Sequence, residues 1–377
     1  MPVGLLAGAF GQGNLGDEAL LHAFVRALPE WRFTVTTQDP DAAEELGCLP
    51  VCPRRPGAVA RAAWGAEAVI VGGGTIFKNL SAASERHPHA LLVNAAALTT
   101  LSSSARRPVA LVGVGAGVLD DRRARMLARF IVRHSDLLIL RDEESAAELV
   151  RAGTAGPYRV GADPAWTLLK PPDARTAHDF SVRIVPSVHA VGADGRDGMI
   201  RRISETARRL LGAGLKVQLQ AWHQAPQRNM ADDRCIVDPL VRRFGPSIEV
   251  VPTPESMVAA TRSMVGVGSV LSFRFHALVA AAAAGVPTVA VAHENKLGAM
   301  SRRLEQFAAP VDFDAAALAN QVERAVRGPG PTPAVIKEQI DLAEEGFRLL
   351  RVLLSGGRSE DAASLGALPL APSPLSQ

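Results

Sequence analysis

The stretch Val3-Gly4-Leu5-Leu6-Ala7-Gly8-Ala9-Phe10-Gly11-Gln12-Gly13-Asn14-Leu15-Gly16-Asp17-Glu18-Ala19-Leu20 decides the fold. An apolar run of strand length, Val3–Ala9, enters a glycine turn. From Asp17 to Leu28 the apolar residues Ala19, Leu20, Phe24 and Leu28 recur at helical spacing. That is a βα unit, and it repeats. Strand-type runs at Arg32–Thr37, Ala68–Val71, Val109–Val114 and Leu137–Leu140 alternate with helical segments such as Asp121–His134, where Met126, Leu127, Phe130 and Ile131 are at helical spacing. Such alternation predicts a parallel sheet covered on both faces.

Pro171 and Pro172 open a polar break, read as a linker over 171–180. Beyond it a second series is predicted, with strands at Val182–Pro186, Lys216–Gln220, Ile248–Val251, Val270–Ser272 and Thr288–Ala292. Its helices are Met199–Leu211, Glu255–Ser263 and Arg274–Ala284. The expected architecture is α/β, with two Rossmann-like doubly wound domains, 1–170 and 181–333, facing across a cleft. A helix at 334–355 and a loose tail at 356–377 complete it. The length of 377 residues, at about 150 residues per domain, agrees.

Composition narrows the class. Hydrophobic residues make up 47% and charged residues 21%, which excludes disorder for the bulk of the chain. The 41 Lys and Arg against 38 acids leave a net charge of +3, too small to support nucleic-acid binding. Cys48, Cys52 and Cys235 form no metal-ligand pattern and read as reduced thiols of a cytoplasmic protein. The first basic residue is Arg26, so no secretory signal is expected. The longest apolar stretch, Ala277–Ala292, is broken by Gly285 and Pro287 and falls short of the roughly 20 residues that span a bilayer.

Four places carry candidate chemistry. The opening glycine turn contains G-x-G-x-x-G, and Asp39 follows where a ribose-binding acid belongs, which suggests a dinucleotide. Asp17 and Glu18 in the first helical turn, however, repel a pyrophosphate. Asn14 and Asp17 therefore read either as helix caps or as partners for a hydroxyl-rich ligand. Val71-Gly72-Gly73-Gly74-Thr75 and Val112-Gly113-Val114-Gly115-Ala116-Gly117 end strands in glycines that admit a ligand or a facing domain. Arg141 ends an apolar strand and either enters the cleft or pairs with Asp142 or Glu144. The most specific is Ser272-Phe273-Arg274-Phe275-His276, where an arginine suited to phosphate or carboxylate stands two residues from a histidine suited to proton transfer. Lys296 adds a second cation after the next strand. His87 and His89 lack partners at metal-ligand spacing, so no metal is expected.

Taken in order, several motifs resemble those of the polysaccharide pyruvyl transferase family, particularly the members that pyruvylate bacterial secondary cell-wall polysaccharides. They are Gly13-Asn14-Leu15-Gly16-Asp17-Glu18, Gly72-Gly73-Gly74, the Gly113–Gly117 turn, Arg141-Asp142 with Ser145, Asp163-Pro164-Ala165, Arg274-Phe275-His276-Ala277-Leu278, Gly285-Val286-Pro287 and Lys296. The resemblance implies a GT-B-like fold, phosphoenolpyruvate as co-substrate without a cofactor, and a pyruvate ketal formed on a sugar such as N-acetylmannosamine. It also implies that Arg274 and His276 serve donor binding and acid catalysis, with Arg141, Ser272 and Lys296 as further donor ligands. Asn14, Gly16, Asp17, Gly73, Gly74, Thr75 and Gly115 would face the acceptor. A polyprenyl-linked acceptor would bring the chain peripherally to the inner face of the membrane, and S-layer homology domains would bind the product. Two departures stand out: Phe275 replaces an aliphatic residue, and His293-Glu294-Asn295 replaces a Tyr-Asp-Pro-like triplet. The rival readings are a GT-B glycosyltransferase using a nucleotide sugar, a nucleotide-binding dehydrogenase and a non-catalytic glycan-binding module. The first lacks a glutamate at Ala280, where retaining members commonly carry one.

Overall fold

A computed structural model of the chain describes residues 1–52, 55–80, 87–154, 156–172, 179–224 and 232–356. The first half runs β1 (Val3–Phe10), α1 (Leu15–Ala27), β2 (Arg32–Thr37), α2 (Pro40–Glu45), β3 (Leu49–Val51), α3 (Pro56–Gly65), β4 (Ala68–Gly72), β5 (Thr75–Phe77) and α4 (Ala90–Ser104). It continues through β6 (Val109–Ala116), α5 (Arg122–His134), β7 (Leu137–Leu140), α6 (Glu143–Arg151), β8 (Arg159–Val160) and a 3-10 turn at Pro164–Leu168. The second half runs β9 (Ser181–Val185), α7 (Gly195–Gly212), β10 (Lys216–Gln220), α8 (Arg234–Phe244), β11 (Ile248–Val251), α9 (Met257–Met264), β12 (Ser269–Ser272) and α10 (Phe275–Ala283). After these come β13 (Thr288–Ala292), α11 (Asn295–Arg303), β14 (Phe307–Pro310), α12 (Ala315–Arg327) and α13 (Pro333–Leu354).

The strands form two sheets, ordered β3-β2-β1-β4-β6-β7-β8, with β5 paired beside β6, and β11-β10-β9-β12-β13-β14. Neighbouring strands run parallel, as at β1 with β2 and β4 and at β9 with β10 and β12. In each sheet the strand order reverses about the first strand, at β1/β4 and at β9/β12. Loops leave a doubly wound sheet in opposite directions there and open a crevice at the carboxyl ends of the strands. The glycine turns after β1 and β4 and the Arg274–His276 segment after β12 all start at these two switch points.

The long strands match the sequence reading to within a residue or two, because their side chains are buried on both faces and their apolar runs are unbroken. The short strands β3, β5, β8 and β14 escaped it, since two to four residues show no period and are held by pairing to a neighbour. The 171–180 linker lies largely outside the described residues, and the 356–377 tail does so beyond Gly356. The three cysteines are unpaired. Among the described residues no helix is long and apolar enough to cross a membrane, and the apolar stretch Ala277–Ala292 divides into α10 and β13.

Helix α13 returns to the first half. It packs on β6, β7 and the 3-10 turn, and Phe347 meets Phe24 of α1 edge to face, with ring centroids 5.1 Å apart. The chain thus ends by pinning the helix that carries the first glycine turn. That turn needs glycine at Gly11 and Gly13, whose φ angles of 72° and 75° lie in the left-handed region. Glu18 folds back to accept from the Gly11 and Gln12 amides at 2.8 and 3.3 Å. Burial, reinforced by the neighbouring Asp17 charge, pushes its carboxyl up to about 7 from 4.5.

Two outcomes follow from this packing. Phe347→Ala is expected to cost about 3–5 kcal/mol in urea unfolding, the range for truncating a buried phenylalanine. Glu18 ionises near pH 4.5 in the unfolded chain but near 7 in the fold. The unfolded chain therefore binds fewer protons between those values, and this group's contribution to stability is lost as pH rises through that window. Urea midpoints measured across the window should fall more steeply for the wild type than for Glu18→Gln; parallel curves would refute the assignment.

Candidate active site

The two halves meet along the switch-point loops. The turn after β1 pairs with the segment after β10: the Leu15 amide reaches the Trp222 carbonyl at 3.4 Å, the Gln224 amide reaches Gly13 O at 3.1 Å, and His223 Nε2 lies 2.9 Å from Gln12 O. This seam holds α1 against the start of α10. Of the two expected caps, Asn14 caps α1 by accepting from the Gly16 amide, whereas Asp17 lies within the first turn and accepts from Asn14 Nδ2 at 2.6 Å. Burial raises the pKa of Asp17, against the opposing pull of His276, Asn14 and Lys296.

His276, in the first turn of α10, lies on that helix start. A Cβ placed on Gly16 would sit 2.0 Å from His276 Nδ1, so only glycine lets the ring rest there. On the other edge, Nε2 is 3.3 Å from Oδ1 of Asp163, which is fully buried at the start of the 3-10 turn. Burial pushes the Asp163 carboxyl up, but His276, its hydrogen bond, Arg141 and the Ala165 amide together hold it below the ordinary value. Asp163 belongs to the Asp163-Pro164-Ala165 motif, from which no role is legible. Its partner lies 113 residues away, a separation no local pattern can show.

Arg141, only 3% exposed, leaves β7 into the same space. Its Nε donates to Asp142 at 3.2 Å, Nη1 lies 3.9 Å from Asp163 Oδ2, and its guanidinium stacks 4.7 Å from the centroid of the Phe275 ring. The local pair with Asp142 is present, whereas Glu144 pairs with Arg302 instead, and the buried guanidinium also lies beside Asp163 of the 3-10 turn. The aromatic Phe275 supplies a face for the guanidinium. Gly115 makes room for it, since a Cβ there would lie 2.5 Å from Arg141 Nη2 and 3.5 Å from Thr75 Oγ1. That Thr75 hydroxyl is buried without a hydrogen-bond partner among the described residues. Gly73 and Gly74 have φ angles of 69° and 76°; a Cβ on Gly73 would strike Leu20, while Gly74 borders open space.

Lys296 completes the group. It pairs with Glu294, whose other oxygen accepts from Lys78 Nζ at 2.8 Å across the seam. Burial lowers the pKa of Lys296, with Arg141 and Lys78 adding to the effect and Glu294 opposing it. Burial raises that of Glu294, but the two lysines outweigh it and keep the carboxyl well below its usual range. Lys78 was not singled out in the sequence, because its partner is 216 residues distant.

Arg274 goes elsewhere. Its guanidinium is buried and bidentate to Asp233, with Nε to Oδ2 at 2.6 Å, and Asp233 also accepts from the amides of Val188, Trp222 and His223. His189, His223 and His293 surround this pair. Burial and then the nearby cations lower all three, His189 and His293 to about 4. Ser272 Oγ accepts from the Arg274 amide and donates to its carbonyl, fixing the turn that leads to His276. Among the described residues no group of three His, Cys, Asp or Glu side chains is placed to hold a metal ion.

Several solved structures share the fold. The UDP-GlcNAc 2-epimerase of Methanocaldococcus jannaschii aligns with a TM-score of 0.58 at 14% identity, over 94% of this chain and 100% of that one. Anabaena HepE in complex with UDP-glucose aligns at 0.57 and 13%, over 97% and 100%. The Neisseria meningitidis UDP-GlcNAc 2-epimerase aligns at 0.57 and 9%, over 94% and 100%. Together with the two parallel sheets, these likenesses establish the GT-B-like arrangement of two Rossmann-like halves. No curated protein matches the sequence significantly. The polysaccharide pyruvyl transferase model matches residues 14–295, which span Asn14, Asp17, Arg141, Asp163, Arg274 and His276 and end one residue before Lys296. The chain belongs to the polysaccharide pyruvyl transferase family.

Proposed function

We propose that the protein transfers pyruvate from phosphoenolpyruvate to a saccharide, forming a ketal and releasing phosphate. The single observation that carries this reading is His276 clasped between Gly16 and Asp163, with Arg141 and Lys296 gathered around it. Phosphoenolpyruvate brings a phosphate and a carboxylate, which Arg141, Lys296 and Lys78 can neutralise, and the unpartnered Thr75 hydroxyl can donate to an oxygen.

The reaction then balances as follows. His276, in its imidazolium form, gives a proton to the methylene carbon, and C2 develops positive charge. An acceptor hydroxyl oxygen bonds to C2 while its proton goes to Asp17, whose raised pKa suits a base. The bond from C2 to the phosphate oxygen breaks, and the leaving phosphate carries off the Asp17 proton. A second hydroxyl closes the ketal and returns its proton to His276. Asp163 holds the ring, and Arg274, locked to Asp233, is a positioning residue that fixes the turn presenting it. Asn14, Gly73 and Gly74 border the acceptor side. A cell-wall polysaccharide precursor bearing N-acetylmannosamine is the acceptor proposed, and S-layer homology domains are the proposed readers of the product.

The test is to incubate the protein with phosphoenolpyruvate and a panel of N-acetylhexosaminyl acceptors, following phosphate release and product mass. His276→Ala should abolish the pyruvate-sized mass gain. Asp163→Asn should lower kcat by about 10²–10⁴, the usual worth of proton-transfer machinery, with little change in KM for phosphoenolpyruvate. Gly16→Ala should reduce kcat comparably while leaving the fold intact, because the methyl group displaces the ring. The structural relatives above were solved with UDP-sugars. Absence of phosphate release with every acceptor, together with tight binding of a UDP-sugar, would replace this reading with nucleotide-sugar chemistry.

A further inference from the structure

The net charge of +3 conceals a strong asymmetry. Helices α3, α4 and α5 lie side by side on one face of the first sheet, with α4 packed between the other two. None of the three contains an Asp or Glu. Helix α5 alone carries Arg122, Arg123, Arg125, Arg129 and Arg133. Arg61 on α3 and Arg106 just past α4 add to the same layer and are exposed.

Among the described residues these arginines meet no carboxylate. Arg151, Arg202, Arg208, Arg234 and Arg302 each pair with a carboxylate. Those of α5 form no ion pair among the described residues; Arg125 and Arg129 reach only backbone carbonyls. Of the described carboxylates beside this helix, Asp121 is engaged by His89 and Asn79 and Asp136 by the Val109 amide, while the exposed Asp120 gives Arg125 its backbone carbonyl and forms no ion pair. Apolar side chains stand exposed among the charges, Trp64 at 58% on α3 and Met126 at 61% between Arg122 and Arg129.

We propose that the α3–α4–α5 face docks on an anionic lipid surface. Arginines in such numbers are drawn to lipid phosphates, and a tryptophan and a methionine at the same level can enter the interfacial zone. A nucleic acid fits less well: among the described residues of these three helices Trp64 is a single strongly exposed aromatic rather than a stacking platform. The layer also borders the cleft, since Asp121, which caps α5, is held by Asn79 in the loop that carries Lys78. Docking there brings the proposed acceptor side to the membrane. The surface argument itself does not depend on the reaction assigned above.

The experiment is vesicle sedimentation of the full chain, with phosphatidylcholine alone or mixed with phosphatidylglycerol, at low and high salt. Binding is expected only to the mixed vesicles, weakened by salt and accompanied by a blue shift of tryptophan emission that Trp64→Phe removes. The triple variant Arg122→Glu, Arg123→Glu, Arg133→Glu should lose about fivefold in partitioning per arginine, on the order of a hundredfold in all. Its circular dichroism and thermal midpoint should match the wild type, which separates lost docking from lost folding. Equal binding to neutral vesicles, wild-type binding by the triple variant, or binding to a nucleic acid duplex but not to vesicles would each overturn the proposal, whatever the pyruvyl transfer assay shows.

Discussion

Asp163 has no exposure to solvent, and a carboxylate in that position must find positive charge and hydrogen-bond donors or forgo ionisation. It finds the Ala165 amide within its own turn, Arg141 from β7 and His276 from the other half of the molecule. Neutralising that one charge brings together three elements from separate parts of the chain, although its Oδ2 has no hydrogen-bond partner among the described residues. Docking of the halves and assembly of the site are therefore one event. Asp233 does the corresponding work within the second half, gathering Arg274 and three backbone amides into the turn that presents His276.

Close approach is the second constraint. The His276 ring rests on Gly16 and the Arg141 guanidinium rests on Gly115, so two glycines expected to face an acceptor make space for the protein's own charged groups. Opposite charges alternate through the site, with Asp17 near His276 and Glu294 between Lys78 and Lys296. Such alternation offsets the desolvation of each member.

Charge is distributed unevenly over the rest of the surface. Ion pairs stud α6, α7 and α13, whereas the arginines of α3 and α5 pair with no carboxylate among the described residues. A formal charge of +3 averages over this difference. Only the packing of α4 between α3 and α5 reveals that the unmatched arginines share a face.

Much of the fold was legible in the sequence, because strands buried on both faces must be continuously apolar and helices on a sheet must repeat near 3.6 residues. Val3–Phe10, Ala68–Gly72, Val109–Ala116 and Leu137–Leu140 could be read for that reason, as could the strand-to-helix junction holding Arg274 and His276. Hidden were the short strands, whose existence depends on a neighbour, and the return of α13 to Phe24. The partner of each charged side chain was hidden as well. Arg274 and Arg141 look alike as isolated arginines at strand ends; one is locked to Asp233 and the other lies buried beside Asp142 and Asp163. By itself the sequence determined the parallel α/β class, the long strands and six of the helices, though not α2, α3, α4, α6, α8, α11 and α12, and which residue types could do chemistry. Tertiary structure alone decided which of them meet, because the energy of burying a charge depends on groups that sequence separation does not constrain.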